Sequence, residues 1–354
     1  MNSHLTSLIS HLPSDQLITI TGATLQLRNG DVHYPFRQDS DFLYLTGISV
    51  PNLVLTMYGD EIILWRESIT EKDRVWWSDK LPDDEIAHIS GITDIRELSE
   101  LEIYTQGKNM MNEWDMKKVI HTMRMIKTPD EIEKIQKAIQ ITEEVYEEVL
   151  EQVRTWMYEY EIEALVAYGF RRYHGTEAFP TIVASGPNAC ILHYTKNTRQ
   201  LQEGDLVLLD FGMELDGYGA DISKTFPVGG IFSPRQQELY DAVLDVKQFA
   251  ESILKPWVTR MAWNREIKEY MYDICRSLGL KNIDQHTPET NPYFPHSIGH
   301  FLGLDTHDVG DADTPLEPWM VLTIEPGIYI QEESIGIRIE DDYLVTEMGC
   351  ERLW

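Results

Sequence analysis

Asp210 ends the apolar run Leu206-Val207-Leu208-Leu209. Asp221 follows the turn pair Asp216-Gly217 and leads into a second strand-like stretch through Thr225-Phe226. If the two stretches pair as a hairpin about that turn, Asp210 and Asp221 face each other. The pattern recurs near the C-terminus. Val321-Leu322-Thr323-Ile324 runs into Glu325 and Pro326-Gly327, while Ile335-Gly336-Ile337-Arg338-Ile339 runs into Glu340. A hairpin centred on the polar loop Gln331-Glu332-Glu333-Ser334 sets Glu325 against Glu340. Charges inside apolar strand patterns are costly unless they are paired or metal-bound. Four converging carboxylates repel, so either some are protonated or cations lie among them, and two divalent ions would balance the charge. His296-Ser297-Ile298-Gly299-His300 and His307 fall between the hairpins and bring imidazoles within reach. Oxygen-rich ligation with one nitrogen suits Mn²⁺, Co²⁺, Fe²⁺ or Zn²⁺, and paired metals activate water. Taken singly, an acid at a strand end is ordinarily a turn residue, and a histidine in a Gly-rich loop is ordinarily hydrogen-bonded structure. The joint pattern carries the inference.

Elements must hold these residues in place. Thr128-Pro129-Asp130-Glu131 reads as a capping box with proline at the first helical position. Behind it Ile132, Ile135, Ile139, Thr142, Tyr146, Val149 and Val153 recur at steps of three and four along one helical face. Glu143, Glu144, Glu147 and Glu148 fall mostly on the other, solvated face. Further helices are expected at 161–174, 234–254 and 264–278. Before residue 125 the texture differs: β-rich runs at 17–20, 42–45, 53–58 and 61–65 alternate with turn residues, and helices are expected near the N-terminus and at 82–88. The reading is α+β: a small α/β N-terminal accessory domain, residues 1–124, followed by a catalytic domain, residues 125–354, with antiparallel strands among helices.

Four blocks then take on a familiar form: Asp210-Phe211-Gly212 with Gly217-Tyr218-Gly219-Ala220-Asp221-Ile222-Ser223-Lys224-Thr225-Phe226-Pro227; His300-Phe301-Leu302-Gly303-Leu304-Asp305-Thr306-His307-Asp308-Val309-Gly310; Leu322-Thr323-Ile324-Glu325-Pro326-Gly327-Ile328-Tyr329; and Gly336-Ile337-Arg338-Ile339-Glu340-Asp341. Together they resemble the signature blocks of the pita-bread (creatinase/aminopeptidase) metallopeptidases, and most of all the Xaa-Pro aminopeptidases. The stretch from Tyr34-Pro35-Phe36-Arg37-Gln38-Asp39-Ser40-Asp41 to Gly47 resembles the aminopeptidase P N-terminal domain. The resemblance implies an exopeptidase that removes the first residue from peptides with proline second, through a water shared by two divalent metals, Mn²⁺ first and Zn²⁺, Co²⁺ or Fe²⁺ as alternatives. It implies Asp210, Asp221, His300, Glu325 and Glu340 as ligands, with Asp221 and Glu340 bridging and Glu325 as general base. His193, His296 and His307 match histidines near the substrate, and Tyr329 and Arg338 match residues that hold the network. The family's N-terminal domain helps build oligomers, which implies a homodimer or larger assembly. Asp39 and Arg37 lie on a stretch that in relatives can approach a neighbouring subunit's pocket; a salt bridge within the domain is the competing reading. Xaa-Pro dipeptidase shares the five ligands and is the alternative; a catalytically inactive binding module is the remote one, and the intact ligand set weighs against it.

Composition sets the outer bounds. The 354 residues carry 30 basic and 59 acidic side chains, a net charge of −29, which disfavours nucleic acid and anionic membrane surfaces as partners. Three cysteines, Cys190, Cys275 and Cys350, show no close spacing and argue against a disulfide framework. No basic n-region precedes an apolar stretch at the N-terminus, and no apolar run is long enough to span a bilayer. The expectation is a cytoplasmic enzyme without membrane contact. Trp65, Trp76 and Trp77 could line a substrate entrance, with core packing as the plainer reading.

Overall fold

The computed structural model describes residues 2–76 and 80–354 and divides into two compact units, Met1–Arg124 and Met125–Trp354. In the first, strands β1 (Ile18–Thr21), β2 (Leu27–Asn29), β3 (Val32–His33), β4 (Val54–Tyr58), β5 (Glu61–Arg66) and β6 (Asp94–Glu97) alternate with helices α1 (Ser3–His11), α2 (Ser40–Thr46), α3 (Glu71–Trp76), α4 (Asp83–Ser90), α5 (Leu101–Thr105) and α6 (Glu113–Met125). The main sheet runs β1-β4-β5-β6, with β5 and β6 parallel, and β2-β3 form a separate hairpin. Residues 42–45, expected as strand, form α2 instead. Asp39 Oδ1 accepts from Phe42 N at 2.9 Å, and Gly47, at φ 70°, ends the helix by donating to Leu43 O at 2.7 Å. A cap and a glycine stop outweigh the local β preference of Phe-Leu-Tyr-Leu. Asp39 is therefore a helix cap here, and Arg37 donates to Gln38 O and Ser40 Oγ. Trp65 is a core residue whose indole donates to Thr56 Oγ1, Trp76 is exposed, and Trp77 lies outside the described residues.

The second unit opens on α7 (Pro129–Gln152), where the Thr128 and Glu131 side chains cap each other's backbone N–H. Ile132, Ile135, Ile139, Thr142 and Val149 are buried on one face, joined by Ala138 and Val145, whereas Tyr146 and Val153 are half-exposed. Then come α8 (Glu159–Arg172), β7 (Thr176–Glu177), β8 (Ile182–Ser185), β9 (Leu206–Phe211), β10 (Met213–Leu215), β11 (Tyr218–Gly219), β12 (Ile222–Pro227), α9 (Pro234–Ile253) and α10 (Arg260–Ser277). The chain ends in β13 (Val321–Ile324), β14 (Gly327–Ile330), β15 (Ile335–Arg338), β16 (Asp341–Val345) and β17 (Cys350–Arg352). Sheets run β12-β9-β8, β11-β10-β7, β13-β16-β17 and β14-β15. The main core gathers α9, α10 and the C-terminal strands around Trp263, Phe294, Leu322 and Ile337.

The first acid-bearing hairpin turns on Asp216 (φ 52°) and Gly217 (φ 86°), a two-residue turn with both residues left-handed. Its ladder pairs Asp210 with Ser223, not with Asp221. Asp221 sits two residues before Ser223 and so shares its face of the sheet, diagonal to Asp210. The ladder breaks between them at Gly212, where the Ala220 carbonyl leaves no room for a Cβ. In the second hairpin Ile324 pairs with Asp341 and Gly327 with Arg338, one register that sets Glu325 opposite Glu340 in the gap between two ladders. Pro326 has no N–H for that gap, and its carbonyl accepts from Ile339 N at 3.2 Å. Among the described residues no helix is long and apolar enough to cross a membrane.

Candidate metal centre

Each acid stands where a ladder stops or is about to stop, so its side chain is free of strand packing while its backbone stays fixed. The hairpins are tied together behind these acids: Glu340 N donates to Ser223 O at 3.0 Å, and Asp221 N to Asp342 Oδ2 at 3.1 Å. His300 lies beside β13, its N–H on Thr323 Oγ1 and its carbonyl accepting from Thr323 N at 2.9 Å.

Asp221, His300 and Glu340 each present a ligand atom, all within 4.8 Å of one another. His300 Nε2 is 3.3 Å from Asp221 Oδ2 and 3.8 Å from Glu325 Oε1. Its Nδ1 is 3.0 Å from Phe301 O, which can only accept, so the neutral ring carries its proton on Nδ1. The Nε2 lone pair then faces carboxylate oxygens. Acceptor against acceptor is unfavourable in isolation, and a cation between them would resolve it. Among the described residues, Asp210 Oδ1, Glu340 Oε1 and Asp342 Oδ1 are buried with no hydrogen-bond partner. Burial, then the neighbouring carboxylates, push Asp221 and Glu340 well above the usual carboxylate range, and burial raises Glu325 as well. Oxygen donors plus one imidazole nitrogen form a set that divalent metals accept. The residues therefore fit the expected group.

Arg338 braces the same acids. Its Nη2 reaches Asp210 Oδ2 at 2.6 Å, Nε reaches Ser223 Oγ at 2.9 Å, and Nη1 donates to Tyr329 Oη at 3.0 Å. Burial opposes the charge, but the surrounding acids hold the guanidinium cationic. Burial also lifts the Tyr329 phenol to about 12, so it keeps its proton and can donate to His296 Nε2 at 2.8 Å. His296 Nδ1, at 2.7 Å from Ser297 O, carries that ring's proton, and burial followed by Arg338 lowers the imidazole to about 3. It stays neutral, 3.7 Å from Glu325 Oε2. His307 packs edge-on to His300 with ring centroids 4.4 Å apart. Burial, then His300 and His193, lower its pKa. His193 is exposed and near enough to His296 and His307 to contribute to lowering both. The structure thus brings together Asp210, Asp221, His300, Glu325 and Glu340, with His296 and Arg338 beside that group, Tyr329 bonded to both of these, and His193 and His307 at its edge.

Three participants escaped the sequence reading. Ser223 Oγ, bonded to Arg338, also donates to Glu340 Oε2 at 2.8 Å; Asp342 grips the Asp221 backbone; Thr225 Oγ1 donates to Arg338 O. The signal was available, since Ser223 and Asp342 sit two residues beyond Asp221 and Glu340, hence on the same strand face. Asp341, between two of these, points the other way and pairs with Lys224, Lys247 and Arg352.

Carboxylates and one imidazole converging on paired hairpins of this α+β unit make the centre one of the pita-bread metallopeptidase kind. Residues 133–347 match the model of metallopeptidase family M24, and residues 2–114 match the aminopeptidase P N-terminal domain. The chain is 32% identical to the Xaa-Pro aminopeptidase of Escherichia coli (strain K12), across 98% of this chain and 92% of that one. With the Xaa-Pro aminopeptidase of Haemophilus influenzae it shares 35% identity over 91% and 86%. Zinc-substituted E. coli aminopeptidase P, solved in complex with product, superposes with a TM-score of 0.91 at 32% identity, covering 99% of this chain and 93% of that one. The chain belongs to metallopeptidase family M24, with an N-terminal domain of the aminopeptidase P type.

Proposed function

We propose that this enzyme is an Xaa-Pro aminopeptidase, a metallopeptidase that removes the N-terminal residue from peptides with proline in second position. The observation that carries the reading is the His300 Nε2 lone pair, set among Asp221, Glu325 and Glu340 in a chain that also has the aminopeptidase P N-terminal domain. That domain favours the aminopeptidase over the dipeptidase.

In this reading Asp210, Asp221, His300, Glu325 and Glu340 would hold the metal, Asp221 and Glu340 serving as the shared ligands. Divalent cations bound there would supply Lewis acidity and a nucleophilic water at neutral pH. Mn²⁺ suits the oxygen-rich set, with Zn²⁺, Co²⁺ or Fe²⁺ as alternatives. Glu325 takes a proton as general base, its carboxylate lying 3.8 Å from His300 Nε2 and 3.7 Å from His296 Nδ1. His296 is neutral with its Nδ1–H on Ser297 O, and Tyr329 fixes the ring; Arg338 fixes Tyr329 and Asp210 in turn. His193 and His307, at the rim, orient the peptide and donate towards the developing oxyanion or the departing proline nitrogen. The bond to proline is a tertiary amide without an N–H, so this site recognises the free amino terminus and the proline ring instead. Residues 125–354 carry the chemistry, and residues 1–124 form the accessory domain. The enzyme works in the cytoplasm as a homodimer or larger homo-oligomer, without nucleic-acid or membrane partners.

Turnover of an Xaa-Pro-Yaa tripeptide against an Xaa-Pro dipeptide, with added Mn²⁺, tests the reading. The tripeptide should be cleaved after its first residue. Cleavage of the dipeptide alone would make this enzyme a dipeptidase, and no cleavage of either with metal bound would refute peptidase function.

A further inference from the structure

Glu159, the first residue of α8, is fully buried (0% exposed). Its Oε1 accepts from Ser185 N at 2.8 Å, Ser185 Oγ at 2.7 Å and Asn188 Nδ2 at 3.0 Å, and Oε2 accepts from Tyr194 Oη at 2.9 Å and Arg199 N at 2.8 Å. Its own N–H donates to Arg199 O at 3.0 Å. The donors belong to the beginning, middle and end of one stretch, residues 185–199, most of the connection from β8 to β9. One turn along α8, Glu163 accepts from Asn197 Nδ2 at 2.9 Å, and Asn197 adopts a left-handed φ of 47°.

Beyond Ser185, which ends β8, and a 3₁₀ turn at Gly186–Cys190, this stretch has no regular structure. Without cross-links its backbone would sample many conformations. Charge-assisted bonds to a single buried carboxylate hold it in one. The stretch carries His193, exposed and directly before Tyr194, whose ring is buried in a small apolar cluster with Ala189, Ile182 and Tyr329. Anchoring Tyr194 therefore sets where the preceding residue enters the site, relative to the same Tyr329 that holds His296.

We propose that Glu159 is the positioning residue for His193, acting through Tyr194 and the 185–199 stretch. It does so from outside the metal cluster, since none of its donors is a ligand candidate. The proposal rests on His193 facing the substrate.

The test is a double-mutant cycle on the Mn²⁺-loaded enzyme, with kcat/KM on an Xaa-Pro-Yaa tripeptide normalised to bound metal. Glu159→Gln turns one acceptor oxygen into an NH₂ group that faces donors. It should lower kcat/KM roughly 10- to 100-fold, the scale of an ångström-sized misplacement, with metal stoichiometry unchanged. Tyr194→Phe removes one of the five donors and should give a smaller loss in the same direction, a readout that stands even if Glu159→Gln fails to fold. In a His193→Ala background either change should cost less than about twofold further, because each acts through that histidine. A purely stabilising role would lower the melting temperature yet leave kcat/KM per folded, metal-loaded chain unchanged, which overturns the proposal. So does a loss that persists in full without His193. Wild-type turnover in His193→Ala itself would instead remove the reading of His193 on which the proposal stands.

Discussion

Ser223→Ala removes one oxygen and tests whether the residues behind the ligands set metal affinity. Ser223 is fully buried, and its Oγ donates to Glu340 Oε2 at 2.8 Å while accepting from Arg338 Nε at 2.9 Å. Glu340 Oε1 already lacks a hydrogen-bond partner, so the variant leaves Glu340 without a side-chain hydrogen bond among the described residues. A hydrogen bond to a charged group contributes about 1.5–3 kcal/mol. Loss of a group that orients a ligand typically weakens metal binding about 10- to 100-fold, which is about 1.4–2.7 kcal/mol. The two routes agree on about 2 kcal/mol, so titration of Mn²⁺ into chelator-stripped protein should show at least about a tenfold rise in Kd. Thr225→Val is the control. Its hydroxyl donates to Arg338 O at 3.0 Å and accepts from Arg338 N at 3.2 Å, so it touches backbone alone. That change should cost about 1 kcal/mol in urea unfolding and leave the metal Kd within about threefold. A Kd for Ser223→Ala within about threefold of wild type would refute the claim that the Ser223 bridge holds Glu340 for metal.

Asp221→Asn and Glu340→Gln should each abolish turnover and lower the metal bound per chain on elemental analysis, since in the proposed reading each serves both ions; near-normal activity in either would undo the assignment. In the metal-stripped protein the buried carboxylates should contribute less stability as pH rises. Asp221, Glu340 and Asp342 all have folded pKa values raised by burial, Asp342 to about 7, so the folded state binds more protons than the unfolded one. Stability from such groups is complete below their ordinary values and falls as pH climbs through the raised ones. His296, lowered to about 3, acts in the opposite sense but only below its ordinary 6.5. Lys247, lowered by burial to about 7, also acts in the opposite sense, above that value, so the comparison is with Asp342→Asn: between about pH 4 and 7 the metal-free wild type should lose melting temperature relative to that variant, and a pH-independent difference would count against the burdened carboxylates. Trp156, Trp257 and Trp319 hold φ values of 74°, 71° and 74° and are exposed at 64%, 67% and 44%. Glycine tolerates that conformation and alanine does not, so Trp→Gly should be more stable than Trp→Ala at each site by about 1 kcal/mol in urea unfolding, and parity would refute the strain.

Local chemistry was legible without coordinates. The Thr128–Glu131 capping box and the Ile132–Ile135–Ile139 face need only their own few residues. So does the register of Glu325 against Glu340, because the loop centring of a hairpin determines which residues oppose. Residues 42–45 have the composition of a strand, and it is the Asp39 cap and the Gly47 stop outside them that make them helical. The two-residue shift in the Asp210 hairpin, Ser223 for Asp221 as partner, follows from the turn falling on Asp216-Gly217 itself, whose centring carries one register through both ladders. Ser223 and Asp342 could have been found by stepping two residues along each acid-bearing strand; Glu159 carries no such mark.

By itself, the sequence determined which groups are available and which of them sit in apolar strands, since turn residues, caps and alternation act over a few neighbouring positions. Tertiary structure alone decided the rest. It chose the His300 tautomer through the Phe301 carbonyl, spread Arg338 over Asp210, Tyr329 and Ser223, and buried Glu159 beneath the stretch that bears His193. Those contacts mostly join residues far apart in the chain, and their strength comes from burial that only the packed fold creates.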